Sequence, residues 1–298
     1  MNSRLFPSTR KSMKVLPILL TLLLFLLVNF QSNAQESPGK TVYYLARSHW
    51  EPLMLDPIAA QANGSLNAYW QDSQRKNIVW ATFAIGFQRS LICWNFKGSK
   101  SLEVGLELAA FTQFEFKWVD GISQRNILNT DFKVGVPLVY HSGFWDYRLR
   151  IFHLSSHWGD DYMIRNHITA YIPNAVNYEQ MDFTVSYTKD FYRIYGGAGL
   201  VVRPHTIRKR WDFEGGFFLT KYLGRQQKRA LIGGLDVKAY QQNGFNPGFN
   251  MGFGLQLGRT EKRPLKIFLQ YYHGHLPYGV YEIRKVQWLG LGIFINPG

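Results

Sequence analysis

Ser101-Leu-Glu-Val-Gly-Leu-Glu-Leu-Ala-Ala-Phe-Thr-Gln-Phe-Glu-Phe-Lys-Trp118 alternates. Leu102, Val104, Leu106, Leu108, Ala110, Phe114, Phe116 and Trp118 fall on one face, broken by Thr112. Ser101, Glu103, Glu107, Gln113, Glu115 and Lys117 fall on the other. A period of two is a strand, whereas a helix would scatter the carboxylates around its whole circumference. The run is long for a strand of a soluble sandwich and suits a tilted strand crossing a bilayer.

Similar segments follow on the C-terminal side. Phe132, Val134, Val136, Leu138 and Tyr140 share a face up to the turn His141-Ser142-Gly143. Trp145, Tyr147, Leu149 and Ile151 oppose Asp146, Arg148 and Arg150, and Met181, Phe183, Val185 and Tyr187 oppose Asp182, Thr184 and Ser186. The pattern predicts an all-β fold, an antiparallel transmembrane β-barrel of about 12 strands. They are expected near 65–72, 76–92, 101–118, 127–140, 144–158, 176–188, 191–203, 209–222, 228–241, 247–258, 264–275 and 285–295. With both chain ends on the periplasmic side, every second link should be short, as 141–143, 189–190 and 223–227 are. The long links 159–175 and 276–284 then fall outside. Charges of both signs on the inward face, among them Glu103, Glu107, Arg148 and Arg150, predict a lumen crossed by ion pairs.

Upstream, Arg4, Arg10, Lys11 and Lys14 precede an apolar run from Val15 to Phe30, and Ser32-Asn33-Ala34 supplies a small-x-small exit. This is the pattern of a cleaved secretory signal peptide over 1–34, directing the chain to the bacterial outer membrane. Residues 35–64 carry Pro38, Pro52 and Pro57 and do not alternate, so they read as a periplasmic lead-in or plug before a barrel over 65–298. The composition agrees with this class. Apolar residues make up 46% and aromatics 16% of 298 residues, which excludes disorder, and a single cysteine, Cys93, excludes a disulfide framework. Of the net charge of +14, +10 remains after residue 34, favouring anionic envelope partners, outer-membrane lipid and lipopolysaccharide, over a nucleic acid. The C-terminal strand, Trp288-Leu-Gly-Leu-Gly-Ile-Phe-Ile295, is of the kind that engages the barrel assembly machinery.

Phe152-His-Leu-Ser-Ser-His-Trp-Gly-Asp-Asp161 breaks the apolar pattern. By the alternation His153, Ser155 and His157 continue the lipid-side face of Ile151, at the outer end of an outward-running strand. Imidazole and hydroxyl on that face are costly without a role. His153 can take the Ser155 proton during attack on an ester, provided a third group orients the ring. Asn177 and Glu179, on the lipid-side phase of the next strand, are the candidates. His157, Gly159, Asp160 and Asp161 read either as a structural turn or, through oxygen ligands, as a Ca²⁺ site. Otherwise no cofactor is expected. Arg208-Lys209-Arg210 at the outer rim is a candidate for lipopolysaccharide phosphates.

His153-x-Ser155 resembles the H-x-S motif of the outer-membrane phospholipase and lipid A deacylase barrels, which works on the outer barrel wall. Those enzymes follow the serine with Asn, where this chain has Ser156 and His157. Across most of its length the chain resembles a family of exported bacterial barrel proteins defined only as a domain of unknown function. The resemblance is carried by Trp50–Pro57, Asp131–Leu138, Arg148–Tyr162 and Tyr195–Gly197, with Asp161 where Glu is expected. It implies an outer-membrane barrel and leaves its role at the envelope surface unassigned. Two sharper expectations stand beside that one: a lipid esterase or deacylase acting at the outer rim, and a channel or transporter.

Overall fold

The structure, a computed structural model, describes residues 39–45, 48–168, 176–204, 208–259 and 264–295. The signal peptide expected over 1–34 lies outside the described residues. The strands are β1 (Thr41–Tyr43), β2 (Ala62–Gln71), β3 (Gln74–Phe96), β4 (Lys100–Val119), β5 (Ile122–Ser142), β6 (Trp145–Trp158) and β7 (Asn177–Lys189). They continue as β8 (Tyr192–Pro204), β9 (Trp211–Leu223), β10 (Arg229–Tyr240), β11 (Pro247–Leu257), β12 (Leu265–His275) and β13 (Lys285–Ile295).

From β2 to β13 each strand pairs antiparallel with the next, and β13 pairs back onto β2, closing a barrel of 12 strands. Closure leaves no unpaired edge, the condition for β-structure in lipid. The short β1 lies outside this cylinder, paired to the end of β3 with Val42 opposite Cys93. Each expected strand has its observed counterpart, displaced by a few residues. The differences are β1, longer β3 to β5, and a short helix, Asp160–Arg165, in a link read as loop.

Links alternate in length around most of the barrel, which defines a turn end, with 97–99, 143–144 and 190–191, and a loop end, with 159–176 and 276–284. Two loop-end links depart from the expected parity. Asp72-Ser73 and Asp120-Gly121 are two-residue turns in which both residues have positive φ. Such turns match the twist of the paired strands and let β2 to β5 join without a loop.

The outward face is an apolar girdle that includes Val134, Ile151, Phe183, Phe217, Leu255 and Leu291, all exposed. The inward face is polar and sealed. Lys133 Nζ lies 2.6 Å from Glu107, Arg150 Nη1 lies 2.8 Å from the same carboxylate and its guanidinium also grips Asp182. Buried charges persist only when paired, and here each sits in a cluster of opposite sign.

Residues 48–61 run among these side chains. Trp50 lies between the Arg148 and Arg193 guanidiniums, 4.3 and 4.9 Å from the ring centroid. Lys238 Nζ reaches Asp56 at 2.8 Å and Glu214 at 2.9 Å. Asn250 donates to Leu55 O, and Lys133 to Ile58 O at 2.5 Å. The segment's irregular backbone therefore finds its hydrogen bonds on the barrel wall, as backbone at membrane depth must.

Candidate functional site on the outer wall

Alternation splits the unusual stretch of β6 between two faces. Inward, Phe152 and Leu154 pack with Val176, Tyr178 and Val201 in a buried cluster. Arg150 stands over the Phe152 ring at 4.8 Å. Outward, His153, Ser155 and His157 continue the face of Leu149 and Ile151. The packed inner side holds these outer side chains on a well-supported strand.

On the β7 side, His153 stands opposite Glu179 and Ser155 opposite Asn177. His153 Nδ1 lies 3.2 Å from Glu179 Oε1. A carboxylate only accepts, so the ring donates from Nδ1 in this contact. Glu179, not Asn177, meets the ring; Asn177 sits two register pairs further towards the loop end. On the β5 side, Val134 is opposite His153 and Phe132 opposite Ser155, and both are exposed. The His157 ring meets Phe132 edge-on at 5.6 Å. Arg203 of β8, 84% exposed, points Nε to within 3.9 Å of Glu179 Oε2. A hydroxyl, an imidazole, a carboxylate and a guanidinium thus share an apolar outer surface.

The remaining residues of the stretch are bound into the rim. Ser156 points inward and donates to Asp131, which also accepts from Asn129 Nδ2 at 2.7 Å and from Gly279 N at 2.8 Å. Val280 N donates to Ser156 Oγ at 3.3 Å. These bonds tie the 276–284 link across the mouth, and a Cβ on Gly279 would run into the Ser156 hydroxyl. Gly159 N donates to Leu128 O at 3.0 Å, so close that any side chain there would strike Ile127 O. The Asp161 carboxylate accepts from Ile127 N and Tyr162 N, both at 3.1 Å. Asp160 lies in the first turn of the short helix. Gly159 and Asp161 thus make backbone contacts that close the rim. The alternation that puts Ser155 outward puts Ser156 inward, but the spacing gives no sign of the Asp131 and Gly279 partners that hold it there.

Arg208, a candidate for lipopolysaccharide phosphates, is paired within the protein. Its guanidinium pairs with Glu282 at 2.9 Å and lies 3.9 Å over the Tyr178 ring. Lys209 and Arg210 are exposed, their backbone N–H groups held by Gln242 and Gln241.

A family model described as "Protein of unknown function (DUF1207)" matches residues 39–296. No curated protein matches the chain. Among solved structures, the outer membrane phospholipase A from Escherichia coli is similar over 84% of this chain and 95% of its own, with a TM-score of 0.52 at 13% identity. An active-site asparagine-to-alanine mutant of that enzyme gives 0.51 at 12% identity, over the same shares of the two chains. The Salmonella typhi outer membrane phospholipase, a dimer with bound calcium, covers 80% of this chain and 90% of its own, with a TM-score of 0.51 at 11% identity. At such identities the likeness is one of fold.

Proposed function

The chain belongs to the DUF1207 family, and from that premise we propose that it is an outer-membrane hydrolase of lipid acyl esters, working on the outside of its barrel. One observation carries the proposal. His153, Ser155 and Glu179 share the outward face of adjacent strands, with the imidazole already held by the carboxylate at 3.2 Å. An exposed imidazole–carboxylate pair beside a hydroxyl on a lipid-facing wall has no packing purpose.

The chemistry follows from the roles. His153 Nε2 takes the Ser155 proton as Oγ bonds to the acyl carbonyl carbon. The two residues are about 6.6 Å apart along the strand, and such pairs tighten only around substrate. The imidazolium then protonates the departing alcohol oxygen, and water hydrolyses the acyl-serine to release fatty acid. Glu179 stabilises the imidazolium throughout. Phe132 and Val134 offer an apolar track for the acyl chain, and Arg203 a partner for the lipid phosphate. The phospholipases of similar fold support this substrate class, as does the H-x-S resemblance.

Calcium enters as a requirement to be tested. The described residues hold no cluster of three acidic, imidazole or thiol ligands at this rim, and Asp161 is already engaged by two backbone N–H groups. No step above is routed through a metal. A channel is the weaker reading, because residues 48–61 and the ion pairs of Glu107 and Arg150 fill the lumen.

The test is fatty-acid release from phospholipid mixed micelles and from lipid A by the full chain in detergent, with calcium or with chelator. Release that vanishes in Ser155→Ala supports the proposal and names the acyl donor. Wild-type release no higher than that of Ser155→Ala on both substrates, calcium present, overturns it.

A further inference from the structure

At the turn end of the barrel, far from the outer wall, three chemically distinct ligands converge from three elements. Cys93 of β3 stands directly opposite Glu103 of β4. Both point inward and are sealed from solvent. His49, at the start of the segment inside the barrel, reaches across to the same place. Its Nδ1, the Cys93 Sγ and a Glu103 carboxylate oxygen all lie within 4.8 Å of one another. Ser48 Oγ donates to Glu103 Oε2 at 2.7 Å, and Ser101 Oγ is 3.3 Å from His49 Nδ1. The His141 ring stacks on that of His49 at 4.8 Å and is itself held by Asp146 at 2.7 Å.

We propose that His49, Cys93 and Glu103 form a zinc site that clamps the inner segment to the barrel wall. A tetrahedral zinc holds sulfur, nitrogen and oxygen ligands at about 2.0–2.3 Å, so its ligand atoms sit roughly 3.3–3.8 Å apart. His49 Nδ1 and Glu103 Oε1, which touch directly, must part, and Cys93 Sγ, which donates to Asn95 Oδ1 at 3.6 Å, must turn in to reach that spacing; all three start within 4.8 Å of one another. Thiolate, carboxylate and neutral imidazole balance the two charges of the ion, which matters where the wall excludes water. The donor set also selects the metal. Calcium and magnesium take oxygen cages, while thiolate with imidazole suits zinc. A cavity of about 340 Å³ lined by His49, His141 and Arg193 adjoins the His49 side of the cluster.

Position explains the use. His49 immediately precedes Trp50, the residue gripped by two guanidiniums, while Cys93 and Glu103 lie on the barrel's own strands. An ion shared among them fastens the entry of the segment as Lys238 and Asn250 fasten its middle. Nothing in this depends on the outer-wall reading.

The test uses the full chain, extracted in detergent without a polyhistidine tag. We expect close to one zinc per chain by elemental analysis. Replacement by Co²⁺ should produce a near-ultraviolet sulfur-to-cobalt charge-transfer band together with visible bands of tetrahedral intensity. Cys93→Ser should lose the charge-transfer band. His49→Ala and Glu103→Gln should weaken binding by more than about tenfold, since even outer-shell partners cost that much. Heat-modifiable migration on gels confirms that each variant still forms a barrel. A folded wild-type chain that takes up no zinc and shows no cobalt band overturns the proposal. So does a charge-transfer band that survives in folded Cys93→Ser.

Discussion

Ser155 and Ser156 are neighbours in the chain and live in different worlds. Ser156 faces the lumen and is saturated: it donates to Asp131, accepts from Val280 N, and helps draw the 276–284 link over the mouth. Ser155 faces outward beside an imidazole whose ring is already oriented. The same division runs through the whole stretch, with Gly159 and Asp161 bound into the rim and His153 on the outer face beside Glu179. A motif read as one unit is two interleaved devices, separated by the pleat of a single strand. The inner one holds the rim, and the outer one is the site proposed for acyl-ester hydrolysis.

The largest expected effect breaks the pair of serines apart. Ser155→Ala should lower acyl-ester hydrolysis by at least about a thousandfold, as loss of a nucleophile does, with no change in unfolding. Ser156→Ala should leave hydrolysis within a few-fold of wild type. Fatty-acid release, measured on both variants side by side, checks the contrast. Equal losses would mean that the two faces act as one site.

Next comes the orienting acid. Glu179→Ala should cut kcat by about a hundredfold, the scale of a general-base contribution. Glu179→Gln keeps an acceptor for Nδ1–H but not the charge, so it should recover part of kcat. KM should hardly move in either variant, because the ring rather than the substrate is what Glu179 touches. A purely structural residue would not give that split or that partial rescue.

The inner device is broken through stability. Ser156→Ala removes one of two donors to Asp131 Oδ1, where Asn129 remains, and strands the Val280 N–H, an unpaired group costing about 1–3 kcal/mol. Urea unfolding of the barrel should register a fall of that order, and protease should then cut the 276–284 link faster. The same measurements on Ser155→Ala should show nothing.

Much of this was legible before any coordinates. Period-two alternation from Ser101 to Trp118 announced a spanning strand, and its continuation through Ile151 put His153 and Ser155 on the outer face. Register was harder to read. Only the pairing of β6 with β7 brings Glu179, rather than Asn177, opposite His153. Contacts at long range were invisible altogether: Arg208 looked free for phosphate until Glu282, 74 residues away, claimed it. His49, Cys93 and Glu103 escaped notice for the same reason. None is near another in sequence, and a lone cysteine carries no spacing to read.

The smallest expected effect tests how far the outer face recognises its substrate. Arg203 is 84% exposed, and its 3.9 Å approach to Glu179 is a surface contact worth little to the fold. Its use is therefore in binding a phosphate, or it has none. Arg203→Ala should raise KM about two- to fivefold on an anionic phospholipid and leave kcat unchanged, an exposed charge contact being worth under about 1 kcal/mol. Added salt should shrink the difference, since an exposed pair is screened. Arg203→Lys keeps the charge but not the planar fork, and should sit between the two. If Arg203→Ala instead lowers kcat at constant KM, the guanidinium acts on the transition state. The cation would then belong with His153 and Glu179 in the chemical half of the strand pair rather than beside it.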